Sequence, residues 1–128
     1  QCAEKSGYSG VTTYSKKTPI NHSQLGNSDF DVEGRVQILE YPTYALVNAY
    51  FPNSQKNGKR VDYKVAFCEA LNTRLQMLRK EYPLVIVCGD YNIAPEAVDL
   101  ARPKQNVKTP AFCQRNVNGC RCLRILVL

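Results

Sequence analysis

Leu84-Val85-Ile86-Val87-Cys88 runs directly into Gly89-Asp90-Tyr91-Asn92. Five consecutive apolar residues after Pro83 form a strand, and their lack of alternation predicts one that is covered on both faces. Upstream, Val61, Val65, Cys68, Leu71, Leu75 and Leu78 recur at spacings of three and four with polar residues between them. This predicts an amphipathic helix over 61–79, closed by Pro83. Further back, the β-rich runs Val36 to Glu40 and Tyr44 to Tyr50 flank Tyr41-Pro42-Thr43 and predict a hairpin. Strand, strand, helix, buried strand is an α/β pattern in which at least one helix covers a sheet. Cys68 in the helix and Cys88 at the strand end read as small buried hydrophobes.

A chain of 128 residues with 44% hydrophobic content supports one domain with a modest core. No stretch approaches the roughly 20 apolar residues of a membrane span, and Gln1-Cys2-Ala3-Glu4-Lys5 has neither region of a signal peptide. The expectation is a truncated reading of a cytoplasmic protein, its cysteines reduced. Of the six cysteines, Cys120 and Cys122 stand too close for the usual zinc pair, and His22 is the single histidine. The net charge is +6, but the last sixteen residues carry Arg115, Arg121 and Arg124 and no acid, leaving +3 over residues 1–112. That mild bias admits a phosphate-bearing partner and fits a basic solvated surface equally well.

Asp90 and Asn92, two residues apart, emerge together from the apolar run. The carboxylate could hold a divalent metal or take a proton from water, and the carboxamide could donate to a developing oxyanion. By itself Gly-Asp-x-Asn is a weak signal, because Asp and Asn after a strand commonly form turns or helix caps. Asn48-Ala49-Tyr50-Phe51-Pro52-Asn53 ends the second hairpin strand in a similar way. A core tyrosine and a turn asparagine would account for it. If both strand ends lie on one edge of the sheet, however, Tyr50 and Asn53 would converge with Asp90 and Asn92, a set suited to phosphate hydrolysis. Gly7-Tyr8-Ser9-Gly10-Val11 is either a turn or a place where backbone approaches a DNA strand.

Five strings, Gly7-Tyr8-Ser9-Gly10-Val11, Glu33-Gly34-Arg35, Asn48-Ala49-Tyr50-Phe51-Pro52-Asn53, Arg60-Val61-Asp62-Tyr63-Lys64 and Gly89-Asp90-Tyr91-Asn92-Ile93-Ala94-Pro95, occur in the order and approximate spacing of one family. From about Lys5 to Phe112 the chain resembles the exonuclease III and abasic-site endonucleases. The resemblance implies an incomplete DNase I-like α/β sandwich, roughly the central half of the family fold. It also implies a monomeric hydrolase of base excision repair that cuts the phosphodiester 5′ of an abasic site in double-stranded DNA and removes nucleotides from 3′ ends, using Mg2+ or Mn2+. Carried over by position, Asp90 would orient or deprotonate the attacking water, Asn92 would stabilise charge on the phosphoryl oxygens, and Tyr50 would contact the scissile phosphate. Asp90 and Asn92 are also the candidate metal neighbours. Gly7, Tyr8, Arg35, Asn53, Lys56 and Asn106 would contact DNA, with Asn53 also supporting Tyr50.

The departures from the family are informative. Its upstream Asn and metal-binding Glu have no counterpart here, nor do its downstream Asp and its C-terminal Ser-Asp-His, and His22 matches nothing catalytic. This chain alone is therefore expected to have little or no activity. After Phe112 the family continues Leu-Pro-Glu-Glu-Arg-x-Trp, whereas this chain reads Cys113-Gln114-Arg115-Asn116-Val117-Asn118-Gly119-Cys120. Shifted by one base, the codons of that segment allow the family's residues. The expectation is a partial domain over 1–112 and an out-of-frame tail over 113–128. Two other readings remain open at this point: a non-catalytic DNA-binding remnant of the fold, and a phosphodiesterase relative acting on lipid or inositol phosphates.

Overall fold

A computed structural model describes residues 1–54, 59–94 and 98. Lys56, Asn106 and the 113–128 tail lie outside the described residues. The elements in order are β1 (Asn21–Ser23), α1 (Ser28–Asp31), β2 (Val36–Tyr41), β3 (Tyr44–Tyr50), α2 (Val61–Glu81) and β4 (Val85–Asp90). The chain divides into two compact units. The first comprises Gln1–Tyr50 with Ala70–Asp90, and the second Phe51–Glu69 with Tyr91–Leu128.

The first unit holds a four-stranded sheet in the order β1-β2-β3-β4. Strands β1, β2 and β3 are antiparallel neighbours, and β4 pairs parallel with β3. The hairpin forms as the sequence predicts: Tyr41 opposes Tyr44 across the two-residue turn Pro42-Thr43, and their rings stack with centroids 4.6 Å apart. The helix also forms, two residues longer than its apolar spacing requires, and Arg79 and Lys80 in its last turn suit the negative end of its dipole. Both β1 and α1 escape a periodicity reading because they are too short to show a period. Asn27 caps α1 by accepting from the Asp29 N–H at 3.0 Å, and the Asp31 carboxylate accepts from the amides of Leu25, Gly26 and Asn27.

Residues paired across strands share a face of the sheet. On one face, Val36, Ile38 and Glu40 pair with Ala49, Val47 and Ala45, which pair in turn with Gly89, Val87 and Val85. The β2 and β3 members of this row are buried. Glu40 shows that the C-terminal half of α2 lies on this side. Its carboxylate accepts from the Tyr82 hydroxyl at 2.7 Å and faces the Arg74 guanidinium at 4.0 Å. The bond to Glu40, followed by lost hydration, raises the Tyr82 pKa. Leu71, Leu75 and Leu78 form the buried stripe of this half of the helix.

The opposite face carries Leu39 and Leu46, Gln37 and Asn48, then Ile86, Cys88, Tyr50 and Asp90. Residues 12–15 lie over its β2–β3 side. Asn48 Nδ2 donates to the Thr12 carbonyl and to Thr13 Oγ1, both at 3.2 Å, and the Tyr41 hydroxyl donates to Ser15 Oγ at 2.9 Å. This cover stops short of β4, where Ile86, Cys88 and Asp90 are exposed while Val85 and Val87 are half-buried. Two expectations are corrected here. Among the described residues β4 is an edge strand covered on one face, not a central strand covered on both, and Cys88 is exposed, not buried. An apolar run records what both faces can bury and cannot say what lies against each. Partial desolvation still raises the Cys88 thiol pKa. Cys68 is fully buried, as its place in the helical pattern predicts.

In the second unit the Phe51 ring packs edge-on against Phe67, with centroids 5.4 Å apart, and tilted against Tyr91 at 4.9 Å. Among the described residues no helix is long and apolar enough to cross a membrane.

Candidate active site

The C-terminal ends of β3 and β4 bring two of the candidate residues together. Parallel pairing sets Tyr50 directly opposite Asp90, so phenol and carboxylate leave the sheet on the same face, the one left open at β4. The register depends on Gly89. Its φ is +135°, and a Cβ built there would overlap the Ala49 carbonyl, so the two backbones approach as closely as they do because residue 89 has no side chain. Asp90 is exposed and Tyr50 half-buried.

Tyr50 is held from behind by Arg35. The Tyr50 N–H donates to the Arg35 carbonyl at 2.8 Å, Arg35 Nη1 donates to the Tyr50 carbonyl at 3.2 Å, and the guanidinium lies 4.8 Å from the Tyr50 ring centroid. Arg35 Nε donates to the Glu33 carboxylate at 2.5 Å, and the same guanidinium sits 5.7 Å from the Tyr8 ring centroid. Tyr8 is 46% exposed on a turn that Gly7 makes possible with φ +65°, and Lys5 Nζ lies 5.4 Å from its ring. The turn is anchored where Ser9 Oγ donates to the Glu33 carbonyl.

Arg35 itself is only 4% exposed. A guanidinium divided between a carboxylate, a carbonyl and two rings is a shelf for Tyr8 and Tyr50. Arg35→Lys is therefore expected to cost about 1–3 kcal/mol in denaturant unfolding, because an ammonium cannot keep the Glu33 and Tyr50 bonds together. A direct phosphate contact would instead leave stability intact and flatten the salt dependence of duplex binding.

Asn53 and Asn92 belong to the second unit. Asn92 is the one described non-glycine residue with positive φ, at +50°, a conformation that Asn tolerates better than most side chains. Its Nδ2 donates to the Phe51 carbonyl at 3.0 Å, and Lys64 Nζ donates to its backbone carbonyl at 2.5 Å. Asn53 is exposed, between buried Pro52 and buried Ser54. His22 lies exposed on β1, paired with Leu39 of β2 and outside the Tyr50–Asp90 pair.

Residues 2–123 match the model of the Endonuclease/Exonuclease/phosphatase family. The chain belongs to that family. Among relatives of this endonuclease/exonuclease/phosphatase chain, an exodeoxyribonuclease of Bacillus subtilis is 38% identical over 111 residues, covering 86% of this chain and 44% of the relative. The DNA repair nuclease APEX1 of Danio rerio is 38% identical over 117 residues, covering 91% of this chain and 37% of its own length. A solved AP endonuclease from Archaeoglobus fulgidus superposes with a TM-score of 0.67 at 22% identity, covering 81% of this chain and 41% of that one. The expected resemblance to exonuclease III and AP endonucleases holds, as does the DNase I-like α/β fold class. The chain spans less than half the length of these relatives.

Endonuclease/exonuclease/phosphatase chemistry with a divalent ion requires oxygen ligands. Magnesium commonly takes one or two carboxylates and fills its remaining positions with water and substrate phosphate. Among the described residues no group of three His, Cys, Asp or Glu side chains stands close enough to hold an ion. Asp90 is the carboxylate at this edge and can supply one ligand. One carboxylate is not a metal site.

Lys64 escapes a reading of the sequence by residue type. Along α2 the buried positions run Val61, Lys64, Phe67, Cys68, Leu71, Leu75 and Leu78, whereas Val65, expected in the stripe, is half-buried. Lys64 lies three residues after Val61 and four before Cys68, but Val65 meets the same spacing, so the sequence offers no signal for its burial.

Proposed function

We propose that the intact protein containing this chain is a DNA-repair hydrolase that cuts the phosphodiester 5′ of abasic sites in duplex DNA and removes nucleotides from 3′ ends, with Mg2+ or Mn2+ as its ion. The observation that carries this reading is the Tyr50–Asp90 register on the sheet face left open at β4, in a chain whose relatives are exodeoxyribonucleases and repair nucleases.

In this reading the Asp90 carboxylate orients a water and takes its proton as the water oxygen attacks phosphorus, while the bond from phosphorus to the 3′-oxygen of the preceding nucleotide breaks and that oxygen leaves, taking a proton from solvent. The Tyr50 phenol donates to a non-bridging phosphate oxygen, on which charge grows as the attack proceeds. By the family resemblance, the Asn92 carboxamide of the second unit donates to a phosphoryl oxygen. Tyr8, exposed on its glycine turn, and Asn53 meet the DNA backbone, where contacts set register and carry no base information. An abasic nucleotide offers no base to read, so selectivity follows shape. The ion, when bound, would supply Lewis-acid stabilisation of the phosphate, with Asp90 among its neighbours.

The test is a nicking assay on three substrates with the full-length protein and magnesium: a duplex carrying one abasic site, the same duplex intact, and an inositol phosphate. Selective incision of the abasic duplex is the expected result. Salt-dependent binding without incision would make the fold a DNA-binding remnant, and turnover of the inositol phosphate alone would move the substrate class away from DNA.

A further inference from the structure

We infer that Lys64 is a positioning residue for Asn92, fixing the backbone conformation from which that carboxamide is presented. The inference rests on the proposed role of Asn92 in phosphodiester hydrolysis. Lys64 is 0% exposed. A lysine on a helix ordinarily buries its methylenes and keeps its ammonium in water, so full burial of the charged end is costly unless hydrogen bonds replace its hydration. Here the ammonium comes within 2.5 Å of the Asn92 carbonyl oxygen.

The acceptor is what gives the burial a purpose. Asn92 is the one described side chain carried on left-handed backbone, where φ +50° sets the direction in which Cβ leaves the chain. That conformation persists when the surroundings over-determine it. Lys64 contributes by holding the carbonyl, and the Phe51 carbonyl by accepting from the carboxamide itself at 3.0 Å. The Phe51 acceptor is in turn anchored by ring packing on Phe67 and Tyr91. Lys64 lies on α2, so its grip ties the segment after β4 to a helix turn that starts where the Lys64 N–H donates to the Arg60 carbonyl at 3.0 Å. With the ammonium removed, the Asn92 carbonyl loses this anchor, and the carboxamide is held less closely in its working direction.

A double-mutant cycle in the full-length protein tests this, measuring kcat and KM for incision of an abasic duplex by wild type, Lys64→Met, Asn92→Ala and the double variant. Lys64→Met is expected to lower kcat by on the order of tenfold or more while KM stays within about twofold, since misplacement of a reacting group by about 1 Å can cost up to 100-fold. In the Asn92→Ala background the same change is expected to lower kcat no further. An equal loss in both backgrounds would mean that Lys64 serves general packing and would overturn the inference, as would an unchanged kcat in Lys64→Met. If Asn92→Ala alone left kcat intact, the role given to Asn92 would fall first, and that arm reads it separately. Should Lys64→Met fail to fold, Lys64→Gln, which keeps a donor but loses charge and reach, is carried through the same cycle. A kcat loss that vanishes in the Asn92→Ala background then supports the inference, and an equal loss in both backgrounds overturns it.

Discussion

Asp90→Asn is expected to lower the incision rate of the full-length protein on abasic duplex DNA by about 100-fold or more, at unchanged thermal stability. The substitution keeps the size and shape of the side chain and removes its charge and its ability to accept a proton. Asp90 ends an edge strand, is exposed, and stands opposite Tyr50 on the face left open at β4, so loss of the charge leaves the core untouched. The loss should fall on kcat, because a base acts when the water attacks, and KM should move little. Duplex affinity measured without added metal should hold, since this carboxylate does not attract phosphate. An unchanged rate would remove Asp90 from the chemistry. A collapse in stability would make it a structural residue of the β4 terminus instead.

Gly89→Ala is expected to cost at least about 3 kcal/mol in denaturant unfolding, a large effect for a single methyl group. Two penalties coincide at this position. A φ of +135° is one that side-chain-bearing residues rarely adopt, and the new methyl would occupy the space of the Ala49 carbonyl. That carbonyl belongs to the backbone of β3 and cannot swing aside like the end of a flexible side chain. Relief requires β4 to separate from β3 at the Ala49–Gly89 pair, one step from Tyr50 and Asp90. The variant should therefore lose activity even in its folded fraction, whereas Ala49→Gly adds no atoms and should leave the register intact. A cost below about 1 kcal/mol would mean that the strands are not this close.

Much of the architecture is legible in the residues. The stacked Tyr41 and Tyr44 sit at the ends of two β-rich runs whose Pro-containing break announces the hairpin. The three-four spacing of Leu71, Leu75 and Leu78 announces the helix. Ile86 marks the limit. It lies in an unbroken apolar run, yet it is 38% exposed, because hydrophobicity states what a face can bury and the cover over that face ends on the β2–β3 side. For the candidate site, the sequence could suggest that Tyr50 and Asp90 share an edge, while their direct opposition depends on a pairing register that no local signal encodes. Arg35 and Lys64 illustrate the other gap. Both are charged residues that read as surface from type alone, and both are buried because their bonds are to partners distant in sequence: Tyr50 for one, Asn92 for the other.

The crossover between β3 and β4 also bears on when the reactive pair can exist. The β2–β3 hairpin closes through a two-residue turn and can form as soon as those strands leave the ribosome. Tyr50 meets Asp90 only after a loop of about forty residues, containing all of α2, has been made and closed, a non-local pairing that slows folding and follows local structure. The phenol thus waits without its carboxylate through most of the synthesis of this segment. A nascent chain arrested anywhere before β4 would carry a finished hairpin without the Tyr50–Asp90 pair, so the two groups proposed to act on the phosphodiester come together only once β4 has been made.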